Sequence, residues 1–280
     1  MRIKFNRYKD DKKRAFTMSY DDGRVYDLRL VEIFNKYGIK GTFNLNSNNI
    51  GKDDYVTAED VATKYEGHEI ASHGLTHHYF ERVPAEELIY EVMEDRRRLE
   101  ALCGYPVCGL AYPYGTWSPE VTSALKAMGI KYARTIKLTG DYALGEIPPK
   151  DFLTWNPTTT HTDPRIFDLL NGFFNTAKPR PLSLFYIYGH SYSFNDQNNW
   201  DLAERICERA GGDPDTWYAT NIEICDYLTA LWQLRFSADR TIVYNPTATD
   251  LWIEADKVGV KVPAGATVRV DAAAAAQTQN

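Results

Sequence analysis

The segment that decides the fold runs from residue 14 to residue 38 and reads RAFTMSYDDGRVYDLRLVEIFNKYG. Residues 14–19 form an apolar run typical of a β-strand, and the polar turn DDG follows at 21–23. Apolar residues within 27–37 recur with the period of a helix, and Gly38 is placed to end that helix. The segment is therefore predicted to form one strand–turn–helix unit.

The same order recurs along the first 235 residues. Further strands are predicted at 41–45, 68–72, 107–112, 131–134, 182–188 and 217–220, with capped amphipathic segments between most of them. This repeated order predicts a parallel sheet whose strands are joined by helical crossovers. Seven or eight such units favour a closed α/β barrel over an open sheet.

The pattern changes after residue 235. Short β-type runs follow at 241–245, 251–254, 258–262 and 267–270, separated by turns. We therefore predict a barrel domain over residues 1–235 and a small β-rich C-terminal extension over 236–270. The Ala-rich segment 271–280 is predicted to be a disordered tail.

Composition excludes several classes of protein. The 280 residues carry 32 Lys plus Arg against 38 Asp plus Glu, a net charge of −6, which argues against a nucleic-acid binder. No window reaches the roughly 20 apolar residues of a membrane span. The first 14 residues contain no apolar signal core, so we expect a cytoplasmic protein, although a leader removed beforehand is also compatible. The four cysteines show no zinc-type spacing and are predicted to be packing thiols. Oligomeric state stays open, a homodimer included.

Chemically useful side chains follow the predicted strands, which in α/β barrels places them on the catalytic face. Asp21 and Asp22 are adjacent carboxylates that diverge, so one can hold a metal while the other works as a base; an ordinary Asp–Gly turn is the alternative. His73 and His77 have the i, i+4 spacing that suits chelation of one ion such as Zn²⁺. Two packing histidines are the alternative.

Two weaker signals follow later strands. His190 comes directly after an apolar run, where a histidine can act as a general acid. The loop AYPYG at 111–115 can shape a groove and offer backbone N–H groups to an oxyanion, or can simply be a turn. His68 and His78 lie outside the metal-binding spacing and are predicted to be structural.

Taken in order, these motifs resemble the NodB-type polysaccharide deacetylases, carbohydrate esterase family 4. The matching stretches are SYDDG at 19–23, H-x3-H at 73–77, AYPYG at 111–115 and YGH at 188–190. The resemblance extends over about residues 14–235. It implies a distorted (β/α)7-8 barrel of the polysaccharide deacetylase type, to which the small C-terminal β extension would be attached.

The resemblance also implies roles for individual residues. Asp22, His73 and His77 would hold one divalent metal ion. Zn is the first choice, although Co, Ni, Mn or Fe suits the same N,N,O ligand set. Asp21 would be the general base, and His190 would be the general acid.

Four further residues are predicted to contact or support the substrate. The backbone N–H of Tyr114 would help to bind the oxyanion. The arginine that the family places in its third motif falls on Ala111 here, and Arg134 at the next strand end is the candidate to replace its charge. Trp155 is predicted to line the pocket, with core packing as the alternative, and His161 to touch substrate or assist protonation.

The predicted function is a metal-dependent hydrolase that removes N- or O-linked acetyl groups from a carbohydrate. One alternative is hydrolysis of another small C–N bond, amide or ureide, on the same barrel. Another is a carbohydrate-binding protein with a decayed site, which the missing motif-three arginine favours. Retention of Asp21 and His190 argues against that second alternative.

Overall fold

Strands and helices alternate along most of the chain. A computed structural model describes residues 2–142, 151–176 and 181–271. The strands are β1 (Ile3–Lys4), β2 (Arg14–Asp21), β3 (Gly41–Leu45), β4 (Glu69–Ser72), β5 (Gly109–Ala111), β6 (Tyr132–Arg134), β7 (Thr159–Thr160), β8 (Ser183–His190), β9 (Thr216–Tyr218), β10 (Arg235–Phe236), β11 (Ile242–Tyr244), β12 (Leu251–Ala255), β13 (Val258–Val262) and β14 (Thr267–Arg269). The helices are α1 (Asp27–Lys36), α2 (Ala58–Thr63), α3 (Ala85–Cys103), α4 (Pro119–Ala127), α5 (Ile166–Asn175), α6 (Tyr192–Asp196), α7 (Trp200–Ala210) and α8 (Asn221–Leu231).

The main sheet is parallel and curls into a barrel. Its strand order is β6-β5-β4-β3-β2-β8-β7, and β9 also pairs with β2. Residues 151–160 help to bridge the remaining gap, because Trp155 pairs with Arg134 on one side while β7 pairs with β8 on the other. The predicted distorted (β/α) barrel is confirmed.

The end of β2 differs slightly from the prediction, and the difference matters for the site. Strand β2 runs to Asp21 rather than ending at residue 19, since Asp21 still pairs in register with β3 and β8. The turn begins at Asp22, whose φ is 80°, and continues through Gly23 at 65°. Asp21 is consequently a strand residue, and only Asp22 belongs to the turn.

Side chains along β2 alternate between the interior of the barrel and the layer of helices outside it. Phe16, Met18 and Tyr20 pack into the apolar core between the sheet and the helices. The side chains between them are polar and bond inside the barrel, as Ser19 does with Asn44. A strand with two different faces therefore places small polar residues inside and large apolar ones outside.

The C-terminal extension consists of two antiparallel three-stranded sheets, β1-β12-β13 and β10-β11-β14. Both sheets include residues from before the predicted boundary after residue 235, because β1 comes from the N-terminus and β10 begins at residue 235. Glu254 holds the N-terminal segment through Lys4, Asn6 and Arg7. A pairing between residues 250 positions apart leaves no local pattern from which it could have been predicted.

Three other predictions have structural outcomes. The four cysteines are free thiols. Among the helices in the described ranges, none combines the length and the apolarity needed to cross a bilayer. Of the predicted tail at 271–280, residues 272–280 lie outside the described residues.

A buried carboxyl group closes the bottom of the barrel. Glu69, only 5% exposed, accepts hydrogen bonds from Thr42 Oγ1 at 2.9 Å, Tyr132 Oη at 2.8 Å and the Ile222 backbone N–H at 2.9 Å. A Cβ at Gly109 would lie 2.3 Å from the Tyr132 hydroxyl, so glycine leaves the room that this phenol needs. Glu69 thereby joins three parts of the barrel floor.

Burial raises the pKa of Glu69 to about 7, against the lowering effect of its three hydrogen bonds. A Glu side chain in the unfolded chain has a pKa of about 4.3, so folding favours the protonated form of Glu69. The contribution of Glu69 to the free energy of unfolding is therefore fully present below the pKa of an unfolded Glu, and it is lost as the pH rises through about 7.

We predict that Glu69→Gln removes this loss. Between pH 4.5 and pH 8 the free energy of unfolding of wild type should fall by on the order of 3 kcal/mol more than that of the variant, measured by urea denaturation. Glu32→Gln, on the exposed face of α1, is the matched control and should leave the pH profile unchanged. Parallel profiles for wild type and Glu69→Gln would contradict the prediction.

Candidate active site

The side chains predicted from the strand ends converge at one end of the barrel. Asp21 at the end of β2 is the register partner of Asn44 in β3 and of His190 in β8. Asn44 Nδ2 donates to Asp21 Oδ1 at 2.8 Å and to Ser19 Oγ at 2.8 Å. Three neighbouring strands therefore deliver polar groups at the same level.

Asp22, His73 and His77 form a compact group of atoms that could bind a metal ion, called the ligand group below. Asp22 Oδ1 lies 3.6 Å from His73 Nε2 and 3.7 Å from His77 Nε2, and the two Nε2 atoms are 3.1 Å apart. His73 Nδ1 lies 2.8 Å from the Ala111 carbonyl oxygen. A carbonyl can only accept, so Nδ1 is assigned as the N–H and Nε2 keeps its lone pair toward the group.

Three residues in the loops around this group have a strained backbone. Asp22, His77 and Tyr114 have φ values of 80°, 65° and 59°, in the left-handed region that side chains other than glycine rarely adopt. Such conformations persist where the surrounding structure fixes them, and they cluster at functional sites. All three residues were predicted from sequence as parts of the site.

Arg134 pairs directly with Asp21 across the interior of the barrel. Its Nη2 bonds to Asp21 Oδ2, its guanidinium lies 4.6 Å from the centre of the Tyr188 ring, and it is fully buried. Ala111 and Arg134 are register partners in adjacent strands. The guanidinium that the family resemblance places at residue 111 thus comes from the neighbouring strand at the same level.

The environment of Asp21 favours its ionised form. Burial raises the pKa of the carboxyl group, but Arg134, His73 and His190 lower it. The result is a pKa below the ordinary value of an aspartate. Asp21 is therefore a buried carboxylate with an arginine on one oxygen and an amide on the other.

His190 faces both carboxylates from the end of β8. Its Nε2 lies 3.9 Å from Asp21 Oδ2 and 3.9 Å from Asp22 Oδ2. About a third of the side chain is exposed, and its ring centre lies 5.1 Å from that of Tyr192. This imidazole is thus close to the acidic pair and open to a molecule arriving from outside.

Trp155 does not line this site. It is 5% exposed and packs its ring against Phe152, Tyr186 and Tyr132, with ring centres 5.0, 5.1 and 5.7 Å away. The prediction of a pocket-lining tryptophan is therefore corrected to core packing. Arg134 is likewise too buried to contact substrate directly and acts on the site through Asp21.

His161 lies on the outer side of the barrel wall, so its predicted contact with substrate does not fit. Its ring stacks on Phe194 and Tyr20 at 4.2 and 5.6 Å, and a Cβ at Gly189 would lie 2.0 Å from its Nδ1. Burial lowers its pKa to about 3, which keeps the ring neutral. Successive residues of β8 face opposite sides of the sheet. Gly189 therefore faces His161 and away from the interior, while its neighbour His190 faces inward.

The two other histidines lie outside the ligand group, as predicted. His68 Nδ1 accepts from the Gly41 backbone N–H at 3.0 Å, and burial lowers its pKa to about 4. His78 is exposed and lies near Glu87 and Glu91. Both oxygens of Glu91 accept from Thr76, so that carboxylate fixes the loop carrying His73 and His77.

Sequence reasoning missed two supporting residues. Asn44 had a signal, since polar residues 42 and 44 alternate with apolar 43 and 45 in β3. Asp27 had none, because it begins a predicted helix like any acidic first-turn residue. It is fully buried and accepts from Ser191 Oγ at 2.5 Å, next to His190, while burial raises its pKa to about 8.

A family model matches the N-terminal part of the chain, which carries most of this site. The polysaccharide deacetylase model matches residues 8–133, which include the Asp21–Asp22 pair, both ligand histidines and Tyr114. The match stops one residue before Arg134 and does not reach His190. The resemblance to the NodB-type deacetylases that the motifs predicted is confirmed.

Two solved structures show the same fold at low sequence identity, and a third matches part of the chain. A Mycobacterium smegmatis protein described as a polysaccharide deacetylase is 15% identical, with a TM-score of 0.60 over 80% of this chain and 92% of that one. The peptidoglycan deacetylase PdaC from Bacillus subtilis is 14% identical, with a TM-score of 0.53 over 78% of this chain and 93% of that one. A polysaccharide deacetylase from Bacillus cereus is 20% identical, with a TM-score of 0.44. That match spans 49% of this chain and 44% of the length of the Bacillus cereus protein. A comparison with curated protein sequences gives no match.

The buried pair of Arg134 and Asp21 makes a stability prediction. Arg134→Met leaves the Asp21 carboxylate buried without its cation, which typically costs about 3–5 kcal/mol. The double variant Arg134→Met/Asp21→Asn should recover part of that loss in chemical denaturation. Arg97→Met, at an ion pair whose arginine is 69% exposed, is the control and should leave the free energy of unfolding nearly unchanged. Equal, small losses at both arginines would show that the buried pair is unimportant.

Proposed function

We propose that this protein is a metal-dependent deacetylase that hydrolyses N- or O-linked acetyl groups of a carbohydrate. The observation that carries the proposal is the convergence of Asp22, His73 and His77 beside Asp21 and His190. Two imidazole nitrogens and a carboxylate oxygen within 3.7 Å of one another suit one divalent ion, with Zn the first choice among the metals that fit. The family-model match over residues 8–133 supports the same activity.

The ligand group fits a metal on the chemistry of its donors. The hydrogen bond from His73 Nδ1–H to the Ala111 carbonyl has the arrangement that orients metal-bound histidines. When bound, a divalent ion would polarise the acetyl carbonyl and lower the pKa of water. The remaining chemistry is assigned to the side chains and backbone of this chain.

Asp21 is assigned as the general base that takes a proton from the attacking water. Arg134 and Asn44 hold its two oxygens, so the carboxylate is fixed in orientation before substrate arrives. Tyr114, beside His77, would donate its backbone N–H to the carbonyl oxygen as negative charge grows there. His190 is assigned as the general acid that protonates the leaving nitrogen or oxygen.

The structure bears on the two alternatives. A decayed carbohydrate-binding site was favoured by the loss of an arginine at Ala111, and the pairing of Arg134 with Asp21 removes that reason. Hydrolysis of another small C–N bond would use the same residues. No contact in the described part of the chain favours it over deacetylation.

The metal site is tested first by elemental analysis of purified protein. We expect about one zinc-like ion per chain in wild type and its loss in His77→Ala, because two remaining ligands bind too weakly. His78→Ala is the matched comparison, since His78 belongs to a separate group with Glu87 and Glu91; loss of the ion in His78→Ala instead of His77→Ala would contradict the assignment to Asp22, His73 and His77. Wild-type protein that takes up no ion after incubation with zinc would overturn the metal-dependent mechanism.

Activity is tested by acetate release from N-acetylglucosamine oligomers and from O-acetylated xylo-oligosaccharides. Zinc-loaded wild type should release acetate, and His190→Ala and Asp21→Asn should each lower kcat by about 100-fold or more, as expected for loss of a general acid or base. Both variants should keep their zinc. Turnover of His190→Ala near the wild-type rate would refute the acid role, and no release from any acetylated sugar would refute the deacetylase assignment.

A further inference from the structure

A stack of aromatic rings runs from the surface of the protein into the ligand group. The Tyr79 and Tyr114 rings are parallel within 5°, with centres 3.7 Å apart. The Tyr114 ring meets the His77 ring edge-on at 4.5 Å, and the Arg82 guanidinium covers Tyr79 at 4.2 Å. Four side chains thus form one column, of which only His77 belongs to the ligand group.

The column joins two separate loops. His77, Tyr79 and Arg82 follow β4, whereas Tyr114 follows β5. A second contact ties the same loops, because Thr116 Oγ1 donates to Glu81 Oε2 at 2.6 Å. The spacing between a metal-ligand loop and the oxyanion loop is therefore set by contacts outside the site itself.

The two residues at the inner end of the column need such support. His77 and Tyr114 both have positive φ, at 65° and 59°, and neither is a glycine. A strained backbone of this kind relaxes unless its surroundings hold it. Tyr114 is also 46% exposed, so burial in the core does not hold its ring in place.

We infer that Tyr79 is a positioning residue that holds Tyr114 against His77 and thereby fixes the geometry of the metal ligands. The inference rests on the proposed metal site. Tyr79 works through the flat face of its ring, and Arg82 strengthens the stack from the other side by a cation–π contact. The phenol oxygen is not needed for this role.

The experiment measures the zinc dissociation constant by competition with a chromophoric chelator, together with the melting temperature of the metal-free protein. Tyr79→Ala should weaken zinc binding by about 10-fold or more, the usual scale for residues that orient metal ligands. Tyr79→Phe should keep wild-type affinity because it retains the ring. Arg82→Ala should weaken binding by a smaller factor.

Two controls make the outcomes decisive. Tyr90→Ala removes a 53% exposed tyrosine from α3 and should leave zinc affinity unchanged. Tyr79→Leu keeps an apolar side chain without a flat ring and should resemble Tyr79→Ala in affinity, with a metal-free melting temperature close to wild type. Unchanged affinity in both Tyr79→Ala and Tyr79→Leu, while wild type binds zinc, would overturn this inference alone. A wild-type protein that binds no zinc would overturn the proposed function and this inference with it.

Discussion

The structure depends on keeping one carboxylate charged inside a β-barrel. Asp21 is 3% exposed, and an unpaired charge at that depth would be too costly to keep. Arg134 supplies the opposite charge from β6, which is separated from β2 by three strands of the sheet, and Asn44 supplies a donor from β3. Satisfying this carboxylate therefore fixes the relative heights of three strands at the end of the barrel that carries the site.

A second buried carboxyl group shows what the arginine contributes. Glu69 at the barrel floor is about as buried as Asp21, yet its surroundings are two hydroxyl groups and one backbone N–H. Neutral donors do not offset the loss of water, so the pKa of Glu69 rises, whereas Arg134 brings the pKa of Asp21 down. The carboxyl group at the barrel floor thus has a pKa of about 7, whereas the carboxyl group at the other end of the barrel favours its ionised form.

Strands and loops contribute to the site in different ways. Asp21, Asn44, Arg134 and His190 lie in strands, where pairing and alternation determine both their level and the side they face. Asp22, His77 and Tyr114 lie just beyond strands in left-handed conformations. Their positions depend on contacts between loops, such as the stacking of Tyr79 on Tyr114. The strands present the proposed base and acid, and the strained loops present two of the three proposed metal ligands.

The sequence alone predicts most of the strand and helix order of the barrel, without β1, β7 or α6, and the grouping of Asp21, Asp22, His73, His77 and His190 at the strand ends. These features rest on local patterns, such as apolar period, capping residues and turn residues, which are written in consecutive positions. Only the tertiary structure decided that Arg134 reaches Asp21, that His161 and Trp155 lie away from the site, and that β1 pairs with β12. Those outcomes depend on the curvature of the sheet and on strand register, where a shift of one residue turns a side chain from the interior to the exterior. That register cannot be predicted from any stretch of consecutive residues, because it is fixed by contacts between residues far apart in the chain.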